Sequence, residues 1–155
     1  MRTQRVLGVV AVAALLWSAT VLSQAKPDLS GTWQMVSQGS AGPAFGEEFT
    51  VKHTADVLTI EVLKPRAGLT LSYKLDGTET TNSGGGANSR TWSTLSVAQW
   101  RNNRLVITTK AVGAPNPLTA SQVLSVSADG RLSVEMMVSG MPAPATTIYQ
   151  RKPVK

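Results

Sequence analysis

Apolar and polar residues alternate along most of this chain. In the stretch LTLSYKL, Leu69, Leu71, Tyr73 and Leu75 share one face, and Thr70, Ser72 and Lys74 share the other. Successive side chains of a strand point to opposite faces, so the pattern predicts a half-buried strand. Similar runs recur, rich in Val, Leu, Thr and Ser, and none forms a convincing amphipathic helix. They predict about nine strands, over 31–37, 47–54, 57–63, 69–75, 90–100, 104–112, 118–127, 131–138 and 145–152.

Turn residues punctuate these runs. Asp56, Asp76-Gly77, Asn102-Asn103 and Asp129-Gly130 tolerate the positive φ that tight hairpins require. TNSGGGANS, VGAPNPLT and SGMPAPAT read as looser loops. With short connections, neighbours in sequence become neighbours in space. An antiparallel up-and-down meander of about eight or nine strands must hide its two edges, and closure into a barrel does so. The same spacing also fits a two-sheet sandwich.

The stretch DLSGTWQM opens the first strand. Gly31 lets the chain bend close into the barrel end, and Trp33 brings about 200 Å² to bury there. If first and last strands pair on closure, Arg151 in TTIYQRK can stack its cation over that ring. Gly31, Trp33 and Arg151 are therefore the expected closure set.

Ahead of this motif, Arg2 and Arg5 precede an apolar run from Val6 to Leu22 and then Ser23-Gln24-Ala25. A charged start, an apolar centre and a small-residue end predict a signal peptide over 1–25, cleaved after Ala25. Residues 26–155 then form a single domain. A chain of about 130 residues buries about two-thirds of its extended surface, enough to fold without disulfides. It contains no cysteine, which excludes thiolate metal sites and lipid attachment through an N-terminal cysteine. The expectation is a secreted or periplasmic protein without stable membrane insertion after cleavage.

The full chain carries a formal charge of +6. Its basic residues are spread singly apart from Arg151-Lys152 and Lys155 at the tail. A nucleic-acid binder concentrates its cations along one face, so no nucleic-acid partner is expected.

Catalytic chemistry is sparse. His53 is the one histidine and shares a strand face with Phe49 and Val51. Inside a barrel it could orient a ligand; it could equally be a half-buried side chain satisfied by a neighbour. Without cysteine or a second histidine, no metal site is expected. Glu47 and Glu48 are adjacent, so a strand points them to opposite faces, which suits joint acid–base work poorly. Gly84-Gly85-Gly86 lacks the following helix of a phosphate cradle. No nucleophile elbow is present. Neither catalytic residues nor a cofactor is expected.

SGTW, the meander and the closing IYQRK together resemble the lipocalin and fatty-acid-binding (calycin) superfamily. Within it the likeness is to small secreted bacterial lipocalin-like proteins, carried by Tyr73–Thr80, Trp100–Lys110 and Leu124–Val134. The resemblance implies a lipocalin-like barrel and brings no settled activity. Fatty-acid-binding relatives hold a carboxylate with Arg-x-Tyr in the last strand. Thr147-Ile148-Tyr149 matches the tyrosine and not the arginine. Met35 and Val36 stand where avidin-like relatives need polar groups.

Trp92 and Trp100 share a strand face with Thr94, Ser96 and Ala98 between them. Small residues leave room in a barrel whose interior otherwise just holds side chains or one small ligand. Tyr73, Trp92, Trp100, Gln122, Met136 and His53 form the candidate ligand-binding set. Two functions fit. In one, a small apolar or amphipathic ligand occupies the barrel. In the other, a filled barrel acts through its surface as a non-enzymatic envelope protein.

Overall fold

The computed structural model describes residues 25–38, 42–65, 67–85, 90–113 and 115–153. Apart from Ala25, the expected signal peptide lies outside the described residues. Ten strands follow one another: β1 (Gly31–Ser37), β2 (Glu48–His53), β3 (Val57–Lys64), β4 (Leu69–Lys74), β5 (Asp76–Gly84), β6 (Trp92–Arg101), β7 (Arg104–Ala111), β8 (Thr119–Val126), β9 (Leu132–Val138) and β10 (Ala145–Arg151). All neighbouring pairs in the ladder are antiparallel, and the sheet order is β4-β3-β2-β1-β10-β9-β8-β7-β6-β5.

Nine of these strands lie where alternation predicts them. The tenth, β5, corrects the expected count. DGTETTNSG contains no apolar side chain, so hydrophobic alternation is silent over it. Its Asp-Gly pair marks a bulge, not the end of a turn. Asp76 accepts hydrogen bonds from the Thr78 amide at 2.9 Å and the Thr78 hydroxyl at 2.7 Å. The register against β6 shifts between Asp76 and Glu79, after which pairing continues to Gly84↔Trp92.

One continuous sheet curls until its first and last strands meet, giving a nearly closed barrel rather than a two-sheet sandwich. β1 pairs with β10, with Trp33 opposite Arg151 and Met35 opposite Tyr149. Closure leaves one seam, between β4 and β5 at the ends of the sheet order. Side chains lace it. Asn82 reaches across as a substitute peptide group: its Oδ1 accepts from the Ser72 amide at 2.7 Å, and its Nδ2 donates to the Ser72 carbonyl at 2.9 Å. Two residues away on β5, the Lys74 amide donates to the Thr80 hydroxyl at 3.0 Å. Asn82 is buried, as a polar group with its partners satisfied can be.

The core sits at one end, which we term the floor. The chain start and the turns after β2, β4, β6 and β8 lie there. Leu29, Trp33, Leu58, Leu105, Leu124 and Leu132 are fully buried in it. The opposite end, the mouth, carries the longer connections. On the outer face Glu48, on β2, is held by β3 and by the residue that follows β10: Lys152 Nζ donates to it at 2.8 Å and Lys64 Nζ lies 3.4 Å away. The Lys152 hydrogen bond, with Lys64 beside it, holds the Glu48 carboxyl below its usual value.

Two tests follow from these contacts. Asn82→Ala leaves a strand-edge amide and carbonyl unpaired and should destabilise the protein by about 1–3 kcal/mol. Hydrogen exchange should rise at Ser72 before it rises in the β1–β10 ladder; uniform exchange would contradict a seam held by Asn82. Glu48→Gln should destabilise at neutral pH. Because the native carboxyl titrates lower than the unfolded one, its stabilisation is complete above its usual value and is lost as acid protonates the native group. Paired urea titrations from pH 7 to 3 should show the wild-type advantage shrinking once the pH falls through 4.5, the ordinary value for this carboxyl.

Candidate functional site

The inner wall changes character from floor to mouth. On β7, Leu105 and Ile107 are fully buried, whereas Thr109 and Ala111 on the same face are half-exposed. On β9, Leu132 and Val134 are buried, and Met136 and Val138 are half-exposed. On β8, Leu124 and Gln122 are buried and Ala120 is half-exposed. On β6 the sequence runs from Ala98 and Ser96, each 1% exposed, to half-exposed Thr94. Tyr73 gives way to half-exposed Leu71 and Leu69 on β4.

These positions face inward by strand alternation, yet solvent reaches them. They are also contiguous. Ala111 pairs with Thr94, and Thr109 pairs with Ser96 and Ala120. Val138 pairs with Ala120, and Met136 with Gln122. We term this half-exposed inner surface of β4 to β9, above the apolar floor, the cup.

The cup wall is uncharged and sets a few polar groups among apolar side chains. The Ser96 and Thr109 hydroxyls hydrogen-bond at 2.9 Å. The Thr94 hydroxyl reaches the Asn82 carbonyl at 3.4 Å. Among the described residues, no hydrogen bond engages the Gln122 amide. Burial pushes the Tyr73 hydroxyl well above its usual value, so it stays neutral.

The opposite side of the mouth is plugged. Phe45, in the β1–β2 connection, is buried and packs edge-on to Phe49 at 5.5 Å. Phe49 packs edge-on to Tyr149 at 4.9 Å. The Tyr149 hydroxyl donates to the Gly46 carbonyl at 3.1 Å and pins the connection down. Burial pushes that hydroxyl up to about 12, which keeps it a donor. Gly46 has φ +93°, and a Cβ there would lie 2.3 Å from the Lys64 carbonyl oxygen, so the tight crossing requires glycine.

The floor is sealed by the segment before β1. Leu29 is fully buried, and its carbonyl accepts from Trp33 Nε1 at 2.9 Å. The Leu29 amide donates to His53 Nδ1 at 3.3 Å. The Arg151 guanidinium lies 4.7 Å from the centre of the Trp33 ring and donates to the Asp28 carbonyl at 3.0 Å. A Cβ at Gly31, where φ is +125°, would lie 3.5 Å from the Arg151 side chain. Hydrogen bonds from Ser30, with His53 and Arg151 nearby, hold the Asp28 carboxyl below its usual value.

The structure thus divides the residues singled out in the sequence into three groups. Gly31, Trp33 and Arg151 meet at the floor, with His53 beside them. Trp100 also lies at the floor, 5.7 Å from the His53 ring, and its indole Nε1 is buried without a partner among the described residues. Tyr73 packs in the same core. Gln122 and Met136 sit side by side on the cup wall. Trp92 is 37% exposed and stands at the rim rather than on the wall. Its ring occupies the space that a Cβ on Gly84 would need.

Sequence reasoning missed Thr109, Ala120, Val138 and Asn82. For Thr109, Ala120 and Val138 the signal was available, since each continues an alternating strand toward a loop; for Asn82 it was not, because β5 carries no apolar side chain. Two open grooves flank Trp92 at the rim. One, of about 540 Å³, runs along Ser83–Gly85, Thr91–Ser93 and Val112. The other, of about 530 Å³, lies where β4 and β5 diverge above the Asn82 lacing and includes Leu69, Thr70 and Arg90. Among the described residues, no three His, Asp or Glu side chains converge as a metal site would need.

No protein-family model matches the chain, and no curated protein matches it. Among solved structures, it is similar to a point mutant of the fluorescent protein UnaG. The match has a TM-score of 0.56 and 19% identity, and covers 81% of this chain and 97% of that one. At this identity the likeness shows the fold alone, a nearly closed antiparallel β-barrel.

Proposed function

We propose that this protein is an exported, non-enzymatic carrier that holds one small apolar or amphipathic molecule in the cup. The supporting observation is the accessibility of inward-facing residues on β4 to β9 above a floor that excludes water. Such a concave, mostly uncharged surface with a few placed polar groups suits a small ligand. Apolar surface buried on the Leu71, Ala120, Met136 and Val138 wall would supply the affinity, at about 25 cal/mol per Å². Gln122 and the Ser96–Thr109 pair would set orientation. The N-terminal segment supports export. Lys52, Glu61, Lys110 and Glu135 on the outer faces of strands are unlike the apolar band of a membrane barrel.

A second reading, a barrel that works through its surface, draws on one feature. Trp92, Val112 and Leu118 are exposed at the mouth, which is a setting for a protein partner.

Native mass spectrometry of the mature protein, purified gently from its own envelope, separates the two. The carrier reading predicts a reproducible adduct that is lost on denaturation. A bare polypeptide mass, with no thermal shift across lipids and other apolar compounds, would contradict it and favour the surface reading.

A further inference from the structure

The composition of the cup wall carries the carrier reading further, to the charge of the ligand. Among the described inward-facing strand positions, only two side chains other than the tyrosines are ionisable. Both are spent on the floor. His53 Nδ1 accepts from the Leu29 amide. Arg151 stacks on the Trp33 ring and binds the Asp28 carbonyl, on the far side of the fully buried Trp33 and Leu29. The wall above consists of Thr94, Ser96, Thr109 and Gln122 among apolar residues. Where Thr147 lines the last strand, its hydroxyl faces the Gly42 carbonyl at 3.5 Å, and Tyr149 two residues on is committed to Gly46.

We infer that the cup selects uncharged ligands that carry an amide or hydroxyl, and rejects carboxylates. The inference rests on the carrier reading above. Arg90 lies out in the rim groove, so a carboxylate held at Gln122 and the Ser96–Thr109 pair would leave water without meeting a cation, and an unpaired buried charge is far more costly than a buried neutral group that is hydrogen-bonded. A neutral amide suits the wall. Gln122 offers both donors and an acceptor, so it can pair with an amide in both directions or with a hydroxyl in either. The Ser96–Thr109 pair uses one hydroxyl hydrogen between them and keeps the other to offer. The rest of the ligand would lie along Leu71, Ala120, Met136 and Val138 toward Trp92.

Matched amphiphiles test this. Calorimetric titration of the mature protein at pH 7.5 would compare dodecanamide, 1-dodecanol and dodecanoate, and the three hexyl counterparts. The expected order places the amide or the alcohol at least tenfold tighter than the acid at one tail length or both. Gln122→Leu should weaken amide binding at least tenfold and acid binding little, with the fold checked by circular dichroism. Equal or tighter binding of the acid, at whichever length binds, overturns the charge inference and leaves the carrier reading standing. Failure of all six to bind overturns both for ligands of this size. The wild-type comparison decides the matter without depending on how well the variant folds.

Discussion

The pairing of β1 with β10 turns an open meander into a barrel, and the packing around Trp33 is the contact on which that closure depends. The ring is fully buried. Its indole nitrogen binds the Leu29 carbonyl below it, and the Arg151 guanidinium covers its face. Each partner comes from a different part of the chain: the segment before β1, the strand itself and the last strand. A residue about the size of tryptophan is needed to fill the end of a barrel this wide, and the loss of such a ring typically costs about 3–5 kcal/mol. The Arg151 stack at an exposed site adds about 0.5–1 kcal/mol. Glycine at position 31 allows the two to come together without a Cβ against the arginine stem.

Sealing one end decides what the other end can be. With the floor filled by leucines and aromatics, the strands need no large side chains near the mouth to make a stable core. The wall on β6 to β9 is therefore free to carry Thr94, Ser96, Thr109, Ala120 and Gln122. The seam between β4 and β5 belongs to the same arrangement. A full ladder there would close the barrel completely; Asn82 and Thr80 instead tie the two edges together through side-chain hydrogen bonds to the β4 backbone. A polar side chain can imitate a peptide group across such a gap because it offers one donor and one acceptor in the right geometry. Phe45 closes the far side of the mouth, so the cup opens beside Trp92 and the seam.

Much of this was legible in the chain. Alternation marked nine strands, because their buried faces are apolar and their outer faces polar. It missed β5, whose inward residues are Thr80, Asn82 and Gly84 and whose job is to lace a seam. The Gly-x-Trp opening and the Arg near the end pointed to closure, because few other arrangements bury a tryptophan beside a glycine at a strand start. The candidate site was legible only in part. Gln122 and Met136 could be placed by parity, but Tyr73, Trp100 and His53 were drawn into the same set when they belong to the floor. Height along a barrel depends on shear and register, which local pattern does not contain. The small residues that make the cup are also the ones that a search for aromatic or titratable groups passes over.

The central claim is that the barrel is solid at the floor and open above it. The chain contains no cysteine, so single thiols report accessibility without background. Ala120→Cys places one on the cup wall, and Ala98→Cys places one on the same inner surface near the floor, where Ala98 is 1% exposed. The account predicts that a small thiol reagent labels the first at least a hundredfold faster than the second under native conditions. Equal, slow labelling of both would mean that the barrel is filled throughout and would contradict it.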